Sequence, residues 1–269
     1  MNHETQTERN ADGRHVALNV LVAEDNKVNQ LLARKALMSA GHGVVIAENG
    51  QVAVDLLIQA DHQFDLILMD RQMPVMDGLQ ATARIRELQS SGDLPAMPIV
   101  AVTAQDVDND PNGDFPPVFD GYLVKPYSIA DLVRVVEQQV SIVDPQNSNT
   151  DASASRFTQC DNVPFDIDAL LDACMGNTVM AEHLIEAFRE NGDECLSRIQ
   201  DAIRSDDLAT VRASAHSLKG SAGMLGANSV FRLATQLEDI DDSHSDVDRL
   251  VDELAEEFGR CREFQLAIV

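Results

Sequence analysis

The sequence predicts a doubly wound α/β domain with a parallel sheet of five strands, followed by an all-α bundle of antiparallel helices. In the first half, short apolar runs alternate with helical patterns, whereas the second half carries only stripes of apolar residues at helical spacing. The segment 144–162 lies between them and is rich in Ser, Asn, Asp and Thr, which is typical of a solvated linker. We therefore expect a polar tail at 1–17, the α/β domain at 18–142, a flexible linker at 143–164 and the bundle at 165–269.

Five short apolar runs predict the strands of the sheet. Their aliphatic residues are continuous rather than alternating with polar ones, as expected for strands that are buried on both faces of a parallel sheet. Helical spacing follows the first, second, third and fifth runs, so the segments form a series of strand–helix units. The runs are 20–23, 44–47, 66–69, 99–102 and 122–124.

Three apolar stripes predict helices of the bundle. Each stripe repeats at steps of three or four residues, which places its side chains on one face of a helix. Asp206 or Asp207 can cap the start of the second helix, and Gly226 can end it. The stripes run from Leu184 to Ile203, from Leu208 to Leu225 and from Val247 to Cys261.

The composition excludes several classes of function. Lys and Arg number 20 and Asp and Glu number 45, so the formal charge is −25, and such a chain repels nucleic acid and anionic lipid. No apolar run approaches the roughly 18 residues of a membrane span, and the N-terminus has no signal-peptide pattern. We therefore expect a cytoplasmic protein without membrane insertion. The four cysteines form no C-x-x-C pair, so neither a disulfide framework nor a zinc site is expected.

Three carboxylates follow two runs that are expected to be neighbouring strands. Glu24 and Asp25 follow the first run, and Asp70 follows the third. Because ligands of doubly wound sheets bind beyond the carboxyl ends of the strands, these acids are expected to share one pocket. Close carboxylates raise one another's pKa unless a cation is present, and Mg²⁺ prefers such hard oxygen ligands. The alternative is that an acidic pair after a strand only caps a helix.

A hydroxyl and an ammonium group are expected at the same edge of the sheet. Thr103 follows the fourth run, and Lys125 follows the fifth. Together they could bind two of the three oxygens of a phosphoryl group. The combination favours attack on phosphorus by a carboxylate oxygen of Asp70, while the metal and Lys125 neutralise the equatorial charge. Taken singly, a Thr at a strand end and a Lys before Pro carry little information.

His216 lies on the second predicted helix of the bundle, on a face that it shares with Lys219, Gly220 and Gly223. That face is turned by about 100° from the apolar stripe, so we expect the imidazole to face solvent. Two glycines inside a helix cost about 1 kcal/mol each relative to Ala, and their small size lets another protein approach closely. Neutral imidazole is a good nucleophile near pH 7. A lone exposed His, by contrast, is most often only a surface residue.

Four blocks of the first half resemble the signature of response-regulator receiver domains. They read VLVAEDNKVNQ, LILMDRQMPVMDG, IVAVTA and GYLVKP. The resemblance covers residues 19 to about 140 and implies a flavodoxin-like fold in which Asp70 is the phospho-acceptor. It further implies that Lys125 is the lysine of the site and that Thr103 and Tyr122 form a switch that responds to phosphorylation. The Mg²⁺ ligands that it implies are Glu24, Asp25, Asp70 and the backbone carbonyl of Gln72.

One segment departs from the receiver pattern. Residues 106–120 read DVDNDPNGDFPPVFD, where receivers have their fourth helix. Pro111, Pro116 and Pro117 disfavour a regular helix there. We expect either a loop in place of the helix or a changed output surface.

The segment AHSLKGSAGMLGA around His216 resembles the signature of histidine-containing phosphotransfer (HPt) domains. The resemblance covers about residues 165 to 264 and implies a four-helix bundle with an extra N-terminal helix. It also implies that His216 carries a phosphoryl group and that Lys219 and the glycines support docking.

Together, the two resemblances predict a phosphorelay intermediate, similar to the last two modules of a hybrid sensor histidine kinase. Its expected partners are a sensor histidine kinase, hybrid in type, and a downstream receiver. No nucleotide-binding motif is found, so we expect a phosphotransfer protein rather than a kinase. One alternative is an interaction module that drains phosphate. Another is a metal-dependent phosphatase, which needs a second acid where this chain has Gln72.

Overall fold

The structure confirms both predicted fold classes. The computed structural model describes residues 17–59, 64–103, 117–140, 164–174, 176–240 and 246–266. Within these ranges a parallel sheet with four helices is followed by five helices. The predicted tail and linker lie almost wholly outside the described residues, as do residues 104–116 of the proline-rich segment.

Five parallel strands form the sheet in the order β2-β1-β3-β4-β5. The register places Val20 opposite both Val44 and Leu66, and Asp70 opposite Val102. This order makes the carboxyl ends of β1, β3, β4 and β5 adjacent, which is where a doubly wound sheet binds ligands. The strands are β1 (Asn19–Ala23), β2 (Gly43–Ala47), β3 (Leu66–Asp70), β4 (Ile99–Thr103) and β5 (Gly121–Val124).

Helices cover both faces of the sheet, which explains why the strands are continuously apolar. Val20 and Val22 belong to the apolar cluster on the side of α1 and α4, whereas Leu21 and Ala23 belong to the cluster on the side of α2 and α3. Asn26 caps α1, because its side chain accepts hydrogen bonds from the N–H groups of residues 28 and 29. The helices are α1 (Lys27–Ser39), α2 (Gly50–Gln59), α3 (Gly78–Ser91) and α4 (Ile129–Val140).

The second part is a helical bundle that buries the predicted apolar stripes. Asp207 caps α7 by accepting from the N–H of Thr210, and Gly226 follows the helix with a φ of +67°. Phe188 packs against Phe165 and Phe258, with ring centroids 5.7 and 5.6 Å away. The helices are α5 (Ile167–Ala173), α6 (Thr178–Arg204), α7 (Leu208–Met224), α8 (Asn228–Glu238) and α9 (Val247–Glu263).

The two parts are packed together. Helix α1 contacts both α6 and α7, and the apolar cluster on the α1 side of the sheet continues into the bundle. Cys174, Cys195 and Cys261 are free and buried, while Cys160 lies outside the described residues. None of the described helices combines the length and the apolarity that crossing a lipid bilayer requires.

Candidate functional site

The three acids of the sheet edge lie in one cluster. Asp70 is the last residue of β3, and Glu24 and Asp25 connect β1 to α1. Each offers a carboxylate oxygen, and these oxygens all lie within 4.8 Å of one another. Glu24 and Asp70 are each only 4% exposed. Three carboxylates are thus held in a small and largely buried volume.

Lys125 bridges two of these acids. Its Nζ donates to Glu24 Oε2 and to Asp70 Oδ2, each at 2.7 Å. Burial alone would lower the pKa of Lys125, but the charges of Asp70 and Glu24 outweigh burial and raise it. Burial raises the pKa of Glu24 to about 8, although Lys125 opposes this shift. Burial and the charge of Asp70 also raise the pKa of Asp25.

The donor set fits a Mg²⁺ ion. The ion prefers hard oxygen ligands, and three carboxylates with converging oxygens supply them. A divalent cation among these carboxylates would favour their charged forms by direct attraction and so oppose the effect of burial. Gln72, whose carbonyl is the fourth predicted ligand, lies beside the cluster, because its N–H donates to Asp70 Oδ1 at 3.2 Å.

The two predicted switch residues lie on β4 and β5. Thr103 ends β4 and is 3% exposed, one residue beyond Val102, the register partner of Asp70. Tyr122 lies in β5 opposite Ala101 and packs, partly buried, against the cluster between the sheet and α2 and α3. Thr103 therefore reaches the same edge of the sheet as Asp70, whereas Tyr122 lies one strand further across.

On α7, His216 is held by an acid from the next helix. Glu238, the last residue of α8, places Oε1 2.7 Å from His216 Nδ1 and accepts from Lys219 Nζ at Oε2, also at 2.7 Å. Burial disfavours the charged form of Glu238, but the hydrogen bonds from His216 and Lys219 outweigh it and lower the pKa to about 2. Since an ionised carboxylate only accepts, Nδ1 carries a proton in this hydrogen bond, and in a neutral imidazole the lone pair then lies on Nε2.

The surroundings of His216 differ from the predicted open surface. The ring does lie off the bundle core, which contains the fully buried Ala215 and Leu218. Its side chain is nevertheless only 21% exposed. Glu238 of α8 contacts the ring, and the start of α1 packs against α7 beside it.

One cavity connects the two predicted phosphorylation sites. It measures about 60 Å³, several times the space needed by one water molecule. Asn26, which caps α1, donates from Nδ2 to the carbonyl of Ser217 at 2.8 Å across the boundary between the two parts. The lining includes Glu24, Asp25, Asp70 and Lys125 from the sheet edge, and His216 and Lys219 from α7.

Three residues around the site were not predicted from the sequence, namely Glu238, Ser217 and Asn26. Glu238 lies 22 positions after His216 on another helix, so no helical spacing rule connects them. Ser217 accepts a hydrogen bond from Asn26, which lies 191 positions earlier in the sequence, so no local pattern connects the two residues. For Asn26 a signal existed, because an Asn directly before an apolar helical pattern is a common N-cap.

Comparisons with known proteins agree with this geometry. Residues 20–137 match the family described as response regulator receiver domain, and residues 183–263 match the Hpt domain family. A two-component response regulator of rice (Oryza sativa subsp. japonica) is 42% identical over 113 residues, which are 41% of this chain and 85% of the regulator. The aerobic respiration control sensor protein ArcB of Escherichia coli is 26% identical over 245 residues, which are 90% of this chain and 30% of ArcB.

Among solved structures, the receiver domain of a sensor histidine kinase from Pseudomonas aeruginosa, determined with a magnesium ion in its active site cleft, is 32% identical. The match covers 47% of this chain and 99% of that chain, with a TM-score of 0.41. The chain thus spans most of the rice regulator but less than a third of ArcB. The rice regulator, 42% identical with 85% of its length covered, shows that the chain belongs to the two-component response-regulator family, and its receiver domain is followed by residues that match the Hpt domain family.

Proposed function

We propose that this chain is a phosphorelay intermediate in which Asp70 accepts a phosphoryl group from a sensor histidine kinase. His216 then exchanges that group with receiver aspartates. The observation that carries the proposal is the cavity that the Asp70 pocket and the His216 face share. The kinase, hybrid in type, and a downstream receiver are the partners that this role requires, and a cytoplasmic location stays a prediction.

At Asp70, the chain supplies a nucleophile and positive charge. A carboxylate oxygen of Asp70 attacks phosphorus, the bond from phosphorus to the donor nitrogen breaks, and its electron pair returns to the donor imidazole. We propose that Lys125 Nζ, which lies 2.7 Å from Asp70 Oδ2, binds an oxygen of the phosphoryl group, and that the hydroxyl of Thr103, at the end of β4, binds another.

A Mg²⁺ ion at this pocket would neutralise charge on the phosphoryl oxygens. Glu24, Asp25, Asp70 and the backbone carbonyl of Gln72 are the residues that we propose to hold it. Support comes from the converging oxygens of the three carboxylates, which all lie within 4.8 Å of one another.

At His216, Nε2 is the proposed nucleophile. The lone pair of Nε2 forms the new bond to phosphorus, the bond from phosphorus to Asp70 breaks, and its electron pair returns to the carboxylate of Asp70. No proton has to leave, because the ring proton stays on Nδ1 in the hydrogen bond to Glu238. The imidazolium product carries positive charge, which the carboxylate of Glu238 offsets, and Lys219 can bind a phosphoryl oxygen.

The test is labelling by a candidate kinase with radiolabelled ATP. Phosphoaspartate is destroyed by alkali and phosphohistidine by acid, so the two labels are counted separately. We expect Asp70→Asn to lose both labels and His216→Gln to keep only the alkali-labile one. His183→Gln, at an exposed histidine of α6, is the matched control and should label as the wild type. Unchanged labelling of Asp70→Asn and His216→Gln would overturn the proposal, and net release of phosphate without transfer to an added receiver would favour a phosphate sink.

A further inference from the structure

The surface that covers His216 belongs to the same chain. Across this boundary Asn26 Nδ2 donates to the carbonyl of Ser217 at 2.8 Å and to its Oγ at 3.1 Å. At its edge Lys27 Nζ lies 3.2 Å from Glu194 Oε1 in an exposed ion pair. The start of α1, directly after the acids Glu24 and Asp25, is therefore seated on the Hpt domain.

A glycine of α7 faces α1 at this boundary. A Cβ built at Gly220 would lie 3.5 Å from Asn29 Nδ2, so a methyl group fits there but a longer side chain would meet α1. Asn29 is only 1% exposed and is held by a hydrogen bond from Nδ2 to Glu24 Oε1. A Cβ at Gly223 would first meet the ring of Phe231 in the bundle, at 3.2 Å, and would lie 3.9 Å from Pro126. Gly220 is therefore the position at which a larger side chain would push the two domains apart.

Both reactive groups line the cavity at this boundary and are largely buried. Asp70 is 4% exposed, and the His216 side chain is 21% exposed. A histidine of another protein has to reach Asp70 through the opening that α7 now covers. A receiver of another protein has to reach His216 through the opening that α1 covers. Because the two domains share one chain, their local concentration is in the millimolar range, which favours the internal partner.

We propose that the receiver and Hpt domains of one chain mask each other, so that external donors and acceptors react only with the opened chain. This inference rests on the proposed function, since the masked groups are those that carry the phosphoryl group. The surface formed by the start of α1 is covered by α6 and α7 of the same chain. The hydrogen bonds from Asn26 to Ser217 and the ion pair between Lys27 and Glu194 hold the two surfaces together.

Transfer between two variants of the full chain tests the inference. A His216→Gln chain is labelled on Asp70 with radiolabelled acetyl phosphate and mixed with an Asp70→Asn chain, which supplies His216. In the labelled chain the Hpt domain has no reactive histidine, so its remaining effect is to cover its own receiver. Adding Gly220→Leu to the labelled chain is expected to speed transfer to the second chain by about fivefold or more, because the receiver is uncovered.

Two further variants make the test specific. Gly259→Leu in the labelled chain is the matched control, since a Cβ at Gly259 meets no atom within 4 Å, and it should leave the transfer rate unchanged. Glu194→Lys in the labelled chain repels its own Lys27 while the second chain keeps its Glu194, and it should speed transfer in the same direction by a smaller factor. This exposed substitution keeps the test valid if Gly220→Leu fails to fold.

The outcomes separate the two proposals. Equal transfer rates with and without Gly220→Leu and Glu194→Lys would overturn the mutual masking while leaving the phosphorelay role standing. No label on Asp70 in any chain, or no label on His216 in the wild-type chain, would overturn the proposed function itself.

Discussion

Replacing Lys125 with Met should make the stability of the receiver domain depend on magnesium. The substitution keeps the unbranched apolar part of the side chain but removes the ammonium group that donates to Glu24 and Asp70 at 2.7 Å. The Lys125 side chain is 9% exposed and its two partners 5% each, so the variant leaves buried carboxylates without their charge partner. Removing one partner of a buried ion pair destabilises a protein by about 3–5 kcal/mol, and we expect a loss of that size in EDTA.

Magnesium should recover much of this loss. The ammonium and the metal ion are both cations that neutralise the same carboxylates, so the variant gains more from Mg²⁺ than the wild type does. A ligand at a hundredfold excess over its Kd stabilises a fold by about 2.7 kcal/mol. The assay is urea denaturation followed by circular dichroism, with EDTA and with saturating MgCl₂. Lys35→Met on the exposed side of α1 is the control and should change little in either buffer.

The predicted magnesium dependence would be refuted if the free energies of unfolding of Lys125→Met and the wild type differed by the same amount with and without Mg²⁺. A stability difference that does not change with Mg²⁺ would mean that the pocket binds no cation. A magnesium-dependent gap for Lys35→Met as well would show that the ion acts elsewhere on the chain.

Two further predictions concern the bundle. Gly192→Ala should lower the free energy of unfolding by about 1–3 kcal/mol, because a Cβ there would lie 2.0 Å from the ring of Phe258. Gly259→Ala should raise the free energy of unfolding by up to about 1 kcal/mol, because a Cβ there meets no atom within 4 Å. Equal effects of the two substitutions in denaturant titrations would contradict the packing of Gly192 against Phe258. The pKa of Glu238 falls from 4.5 to about 2, so its contribution to stability is present above pH 4.5 and is lost as the pH falls towards 2. The stability difference between the wild type and Glu238→Gln should shrink over that range, and a constant difference would argue against the ion pair.

Much of the fold follows from local patterns. The strands are continuously apolar because α1 and α4 cover one face of the sheet and α2 and α3 the other, and such runs can be recognised without a structure. The meeting of Glu24, Asp25 and Asp70 could also be predicted, because parallel strand order brings the ends of β1 and β3 together.

Other features depend on tertiary packing and could not be predicted. The hydrogen bond between His216 and Glu238 joins two helices, so its formation depends on how α7 and α8 pack. The partial burial of His216 depends on how α8 and α1 pack around α7, so helical spacing alone predicts a more open surface. The proline-rich segment and its missing helix stay a prediction, because residues 104–116 lie outside the described residues.

The central claim is that Asp70 and His216 handle the same phosphoryl group across one cavity. The most direct measurement starts from the wild-type chain labelled on Asp70, removes the donor and counts both kinds of label over time at widely different protein concentrations. We predict that the alkali-labile label lost is matched by the alkali-stable label gained, with one rate constant at every concentration. Loss of the label entirely as inorganic phosphate, with none on His216, would contradict the claim.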